Sequence, residues 1–362
     1  MSANLIEILG LTSQELCGYL VELGEAAFRG KQLYQAIYAR RQSDFSYITE
    51  LSKPLRSKLA SSARLTFPRL HAIQGSVDGT QKYLLELGDH RKIESVFIPE
   101  IRRNTLCVST QAGCAMDCRF CLTGLMGFGR NLTAGEIMGQ ILFILADQER
   151  QGPRSESPSP KPTNIVLMGM GEPLHNLAEV TKALVLMTDK EGLNVPQYRV
   201  TLSTVGLVPM ILELARAPVV PNLAISLSAT TDEVRNQLIP INRKYPIHEL
   251  VEVCARFPLG PRQNLTFEYV LMDGVNDTDQ DARRLVKLLS RLRTKVNLLP
   301  LNPGNPYSLK PSPPGRVVRF REILVSKGLP AFVRRPRGAD ICAACGQLHH
   351  IQNGLEATNH PA

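Results

Sequence analysis

Cys114-Ala115-Met116-Asp117-Cys118-Arg119-Phe120-Cys121 sets three cysteines within eight residues, spaced x3 and then x2, so that one loop can turn all three thiols towards one point. Thiolates select soft metals, either zinc or the iron of iron–sulfur clusters. A closed zinc or cubane site takes four protein ligands, so three leave one iron open to a substrate. The same residues, completed by a distant histidine, would also make a zinc knuckle.

The chain of 362 residues is long enough for one large core and a small accessory domain. No apolar run approaches the roughly 20 residues of a membrane span. The start, Met1-Ser2-Ala3-Asn4-Leu5-Ile6-Glu7, lacks the basic-then-apolar layout of a secretory leader. A cytoplasmic protein without membrane contact is expected, where clustered cysteines signal metal or catalysis more often than disulfides. The net charge of +9 favours a polyanionic partner.

Residues 1–66 read as a helical accessory unit. Thr12-Ser13-Gln14-Glu15 offers a capping box, and Phe28 to Tyr38 carries apolar residues at helical spacing. Arg29, Lys31, Arg40 and Arg41 mix there with Tyr34 and Tyr38, which suits either an RNA-gripping surface or a tyrosine core beneath a solvated basic face. Residues 67–103 form a connecting hairpin region, with strands at Lys82–Leu87 and Ile93–Ile98 around Gly88-Asp89. From 104 to 350 strand and helix alternate. Strands are expected at Thr105–Thr110, Asn164–Met168, Tyr198–Thr204, Leu223–Ser228, Thr266–Met272 and Val296–Leu301, with helices such as Thr133–Ala146 and Asp279–Leu292 between them. Six βα units suit a parallel, barrel-like sheet whose site lies at the C-terminal strand ends, where the cysteine loop follows the first strand. Gln151–Pro162 reads as a mobile surface loop and 351–362 as a flexible tail.

Further chemistry falls at strand ends. In Met168-Gly169-Met170-Gly171-Glu172-Pro173, glycines let backbone approach a ligand, and Glu172 is suited to an ammonium group. Ser203, Ser226-Leu227-Ser228 and Asn302 close later strands with groups able to bind hydroxyl or adenine atoms, although each alone would serve as a turn or cap. With Glu94–Pro99, Thr105–Gln111, Leu238-Ile239-Pro240-Ile241-Asn242 and Ala343–Leu348, these stretches resemble the radical S-adenosylmethionine (radical-SAM) superfamily. Within it they resemble the RlmN-type dual-specificity 23S rRNA and tRNA adenine-C2 methyltransferases over nearly the whole chain.

The resemblance implies an α/β fold, a partial (βα)6 TIM-like radical-SAM barrel with a small helical N-terminal accessory domain. It implies one 4Fe–4S cluster on Cys114, Cys118 and Cys121, and S-adenosylmethionine held by Gly171, Glu172, Ser203, Ser226, Leu227, Ser228 and Asn302. It also implies a methyl-carrying Cys345, a resolving Cys107 that forms a transient disulfide with it, and a proton-accepting Glu94. The implied partners are 23S rRNA, at an adenosine of the peptidyl-transferase centre, tRNA, at the adenosine 3′ to the anticodon, and an external flavodoxin- or ferredoxin-like one-electron reductant.

Two positions depart from the family pattern. Ser228 stands where relatives commonly carry His, and Cys342 where they commonly carry Asp. The resulting Cys342-Ala343-Ala344-Cys345 pair has no second pair to complete a metal site. Arg316, Arg319, Arg321, Lys327, Arg334, Arg335 and Arg337 suggest a phosphate-tracking stripe, or else a solvated basic face. An unpaired, splayed adenosine would be the natural target, because C2 is hidden in a duplex. A C8-specific resistance methyltransferase of the same architecture and a non-catalytic iron–sulfur or zinc RNA-binding module are the alternatives. Pro173 after Glu172 is typical of the C2 group, where the C8 group tends to have Ala, and it biases Glu172 towards an extended backbone.

Overall fold

The computed structural model describes residues 5–101, 103–152, 164–302 and 307–349. Most of the expected mobile loop Gln151–Pro162 and the whole tail 351–362 lie outside the described residues.

The N-terminal unit runs β1 (Ile6–Glu7), α1 (Ser13–Glu22), α2 (Phe28–Tyr38), α3 (Lys53–Ser62) and β2 (Ala63–Arg64), with β1 and β2 paired in parallel. The capping box is present, the Thr12 hydroxyl accepting from Glu15 N–H and the Glu15 carboxylate from Thr12 N–H. Tyr34 and Tyr38 are fully buried, and the Tyr38 hydroxyl accepts from Gly10 N–H at 2.8 Å. Both tyrosines are core, so the RNA-gripping reading loses its aromatic half.

Next come β3 (Arg69–Gly75), β4 (Gln81–Glu86), β5 (Lys92–Glu100), β6 (Arg103–Cys107), β7 (Gln111–Gly113), α4 (Leu122–Leu125), β8 (Phe128–Asn131) and α5 (Ala134–Gln151). The rest alternates: β9 (Asn164–Leu167), α6 (Leu177–Thr188), β10 (Val200–Thr204), α7 (Val208–Leu214), β11 (Asn222–Ser226), α8 (Asp232–Leu238), α9 (Ile247–Ala255), β12 (Leu265–Leu271), α10 (Asp279–Leu289), β13 (Thr294–Pro300), α11 (Pro314–Ser326) and β14 (Ala331–Val333).

One ten-stranded sheet has the order β14-β13-β12-β11-β10-β9-β6-β5-β4-β3. It is parallel from β14 to β6 and antiparallel from β6 to β3. The partial parallel barrel is therefore present, and the hairpin region extends its sheet. A seventh parallel strand, β14, was not expected. Its three residues, only Ala331 buried, carry no readable alternation, and pairing with Val296 to Leu298 is what makes them a strand.

The apolar cluster is continuous from Ile8 to Leu348 and takes in the N-terminal helices as well as the barrel. Among the described residues no helix is long and apolar enough to cross a membrane.

Candidate active site

Side chains alternate across a strand, and strand register sorts the candidate residues. Cys107 pairs with Val96, two residues from Glu94, and with Val166 on β9. The same parity continues through Ser203, Ser226 and Glu268, which are reached by the pairs Ser203↔Ala224 and Ser226↔Glu268. One sheet face thus carries Glu94, Cys107, Ser203, Ser226 and Glu268. Leu227, out of phase, is fully buried in the apolar core.

Beyond this face, at the C-terminal strand ends, lies a cavity of about 160 Å³ that opens to solvent. Cys114, Cys118, Cys121, Gly171, Glu172, Ser203, Ser226, Asn302 and Cys345 all line it. Glu94 and Cys107 do not; they sit further along the same face. Leu227 and Ser228 are also outside the lining, and the Ser228 hydroxyl accepts instead from Val270 N–H at 3.2 Å. The contact expected of Ser226-Leu227-Ser228 therefore reduces to Ser226, because the pleat turns Leu227 away and β12 occupies Ser228.

The cysteine loop is tied down at several points. Asp117 turns at φ 48°, Cys121 N–H reaches Cys118 C=O at 3.0 Å, and Arg119 N–H reaches Leu238 C=O at 2.9 Å. Burial pushes the Cys114 thiol up to about 12 and the Cys118 thiol well above its ordinary value, neighbouring Cys121 adding to both. Thiols held protonated by burial and by one another are a donor set that a thiophilic metal would deprotonate. Among the described residues no three His, Cys, Asp or Glu groups converge on a single ion.

After β9 the chain passes close under Gln111. A Cβ on Gly171 (φ 101°) would lie 2.5 Å from Gln111 Cβ, and one on Gly169 2.7 Å from Ser109 Oγ. Only glycine fits either position. Glu172, at φ −100° and ψ 109° before Pro173, has the extended backbone expected there. Its Oε1 accepts from Leu174 N–H and its Oε2 from Val205 N–H, each at 2.9 Å. Burial nevertheless raises its pKa to about 7.

Arg235, which sequence reasoning missed, sets the strand ends opposite. It is fully buried and donates to Val205 C=O at 2.6 Å, Ser226 C=O at 3.0 Å and Asn242 Oδ1 at 2.8 Å. Asn242 of the Leu238–Asn242 stretch thus has a structural use. Glu268 was missed too, although an acid inside the apolar Phe267-Glu268-Tyr269 run was a readable signal. It lines the cavity, accepts from Asn297 at 2.8 Å, and burial raises its pKa.

The C-terminal loop closes one side. Asn302 Nδ2 donates to Cys345 C=O at 2.9 Å, Leu122 N–H to Gly346 C=O at 2.7 Å, and Asp340 accepts from Ser76 Oγ at 2.6 Å. Cys345 is exposed as a residue, but its thiol faces the cavity. Burial and then Glu268 push that thiol up to about 11. The neighbouring Cys345 also adds to the burial that raises Cys107. Both cysteines are free, as is the exposed Cys342.

The basic stripe is divided. Arg316 and Arg319 share Asp279 at 3.4 and 3.2 Å, and Arg337 holds Asp78 at 3.0 Å. Arg321 donates to Ala331 C=O, whereas Lys327 and Arg335 stand exposed.

Residues 6–65 match the ribosomal RNA large subunit methyltransferase N-terminal domain and residues 108–286 the radical SAM superfamily. A dual-specificity RNA methyltransferase RlmN of Syntrophotalea carbinolica is 47% identical over 95% of this chain and 89% of its own length. The chain belongs to the RlmN family. The Geobacter sulfurreducens RlmN is 45% identical, over 95% of this chain and 92% of its own. A crystal structure of a radical SAM methyltransferase from Sphaerobacter thermophilus superposes with a TM-score of 0.88 at 41% identity, covering 94% of this chain and 98% of that one. RlmN membership thus joins the N-terminal helices and the barrel in one methyltransferase architecture.

Proposed function

We propose that this chain methylates C2 of an adenosine in 23S rRNA at the peptidyl-transferase centre, and of the adenosine 3′ to the anticodon in tRNA. It would act in the cytoplasm with a flavodoxin- or ferredoxin-like reductant. The observation that carries the reading is the meeting of Cys114, Cys118, Cys121, Gly171, Glu172 and Cys345 around one cavity, in a chain 47% identical to an RlmN.

The three thiols suit a 4Fe–4S cluster with one open iron, and Glu172, buried with no cation beside it among the described residues, suits the ammonium of S-adenosylmethionine. When bound, cluster and cofactor supply a methyl group and a 5′-deoxyadenosyl radical. Ser203, Ser226 and Asn302 offer polar groups to the rest of the cofactor. Adenine C2 is an electron-poor carbon that cannot attack a sulfonium methyl, so a carbon must be delivered to it from Cys345. With Cys345 joined to C2 through a methylene by radical addition, Glu94 accepts the C2 proton and the one unpaired electron passes to the one-electron carrier, which leaves a closed-shell thioether. The Cys107 thiolate then attacks the Cys345 sulfur. An S–S bond forms and the S–C bond breaks. Its electron pair stays on carbon, which takes a proton to become the methyl group. Both thiols are free, and Cys345 is near enough to act on Cys107, which suits that exchange.

Digestion of RNA treated with reconstituted protein tests the reading. The methyladenosine should co-elute with the 2-methyl standard; co-elution with the 8-methyl standard alone would overturn the C2 assignment, and no methylation of either RNA would remove the enzyme reading.

A further inference from the structure

Beneath the C-terminal loop lies a buried ion pair. Lys82 Nζ on β4 is 3.2 Å from Glu94 Oε1 on β5, with side chains 9% and 4% exposed. The two are diagonal neighbours on one sheet face, Lys82 pairing with Val96 and Leu84 with Glu94. The same ammonium donates to Cys342 C=O at 3.4 Å. At the loop's other end the His349 backbone N–H also favours ionised Glu94, and Glu94 Oε2 has no partner at hydrogen-bond geometry among the described residues. The pair therefore touches both ends of the loop that carries Cys345. Among the described residues the ionisable groups acting on Glu94 are Lys82 from β4 and His349 from the loop, and Cys107 on β6 pairs with Val96 two residues along.

We propose that Lys82 is a positioning residue for the methyl transfer, holding Glu94 as a carboxylate with Oε2 free to accept the C2 proton while seating the Cys345 loop over it. The inference rests on the proposed function, in which Glu94 is that acceptor. A carboxyl this deeply buried is driven towards its neutral form, which cannot accept a proton, and the ammonium opposes that drive. In the step concerned the C2–H bond breaks, the proton passes to Oε2, the bonding pair remains on the adenine ring, and the one unpaired electron left by radical addition passes to the external one-electron carrier, so that the ring is closed-shell again. Lys82 exchanges no proton. Its charge sets the pH above which Glu94 can act.

The test is single-turnover resolution of the covalent protein–RNA adduct as a function of pH, with 5′-deoxyadenosine formation followed as the check on fold and cluster. In Lys82→Met the acid limb of the profile should move up by about 1–3 pH units, with the plateau retained at high pH, and Lys82→Arg should bring the limb back. A Lys82→Met rate lowered by one constant factor at every pH would overturn the proposal, since a merely structural role would do that. If Lys82→Met fails to fold, Lys82→Gln, uncharged but able to donate to Cys342, must show the same upward move, and an unmoved limb overturns the inference. Glu94→Gln separates the two levels: a stalled adduct supports the acceptor role, and resolution at the native rate removes that role and this inference with it.

Discussion

Cys345 and Cys107 act at different steps, so their loss should leave different traces. Cys345→Ala has no methyl carrier and should never join RNA, whereas Cys107→Ala should join it and stall; a denaturing gel distinguishes the two. Normal turnover by Cys107→Ala would contradict the assignment. At Glu172 the sign of a pH effect follows from its pKa near 7 in the free protein. An ammonium is bound by the carboxylate, so below that pH binding must first release a proton. S-adenosylmethionine affinity should fall by up to about tenfold per unit as pH drops below 7. Calorimetry across pH would show it, and a flat profile would refute a salt bridge at Glu172. Both glycines flanking Met170 were legible from sequence as a place of close approach. That the approaching partners are Gln111 and Ser109 was not, because those residues lie about sixty positions away.

At the scale of elements, α5 begins where its sequence says it should, with Thr133 and Glu136 forming a reciprocal capping box. Thr133→Ala should cost about 1 kcal/mol in chemical denaturation, and Thr133→Ser little. Its C-terminal end ran past the expected Ala146 to Gln151. Start signals are local hydrogen-bonding residues, while this end lacks an early breaker and stops only at Gly152, at φ 77°. For the cysteine loop, Cys118→Ala should lose iron and sulfide and form no 5′-deoxyadenosine. Retained cleavage would sink the cluster assignment.

The main apolar core runs through the N-terminal helices and the barrel together, with a smaller second cluster of Cys118, Val205, Leu238, Ile239, Met272 and Leu301. Gly10 of the N-terminal unit sits so close to α5 that a Cβ there would lie 2.6 Å from Gly135 N, and Lys182 of α6 pairs with Glu15 of α1 at 2.8 Å. Removing residues 1–66 should therefore expose apolar barrel surface and yield aggregated protein, and the full chain should unfold in a single calorimetric transition. Two separable transitions would show that the helices fold independently of the barrel.

The amino-acid sequence by itself determined the alternation of strands and helices, the helix starts and the spacing of three cysteines, because each depends on residues within a few positions of one another. Tertiary structure decided what needs partners from afar. The three residues of β14 are a strand only because β13 offers its edge. Of Ser226-Leu227-Ser228 only the first faces the cavity, because pleat and register assign the others elsewhere. Arg235 became the clamp on the strand ends, and Lys82 the partner of Glu94, because folding in each case enclosed a cation that the sequence displays as an ordinary surface charge. Away from water, the low local dielectric makes the position of such a charge decisive.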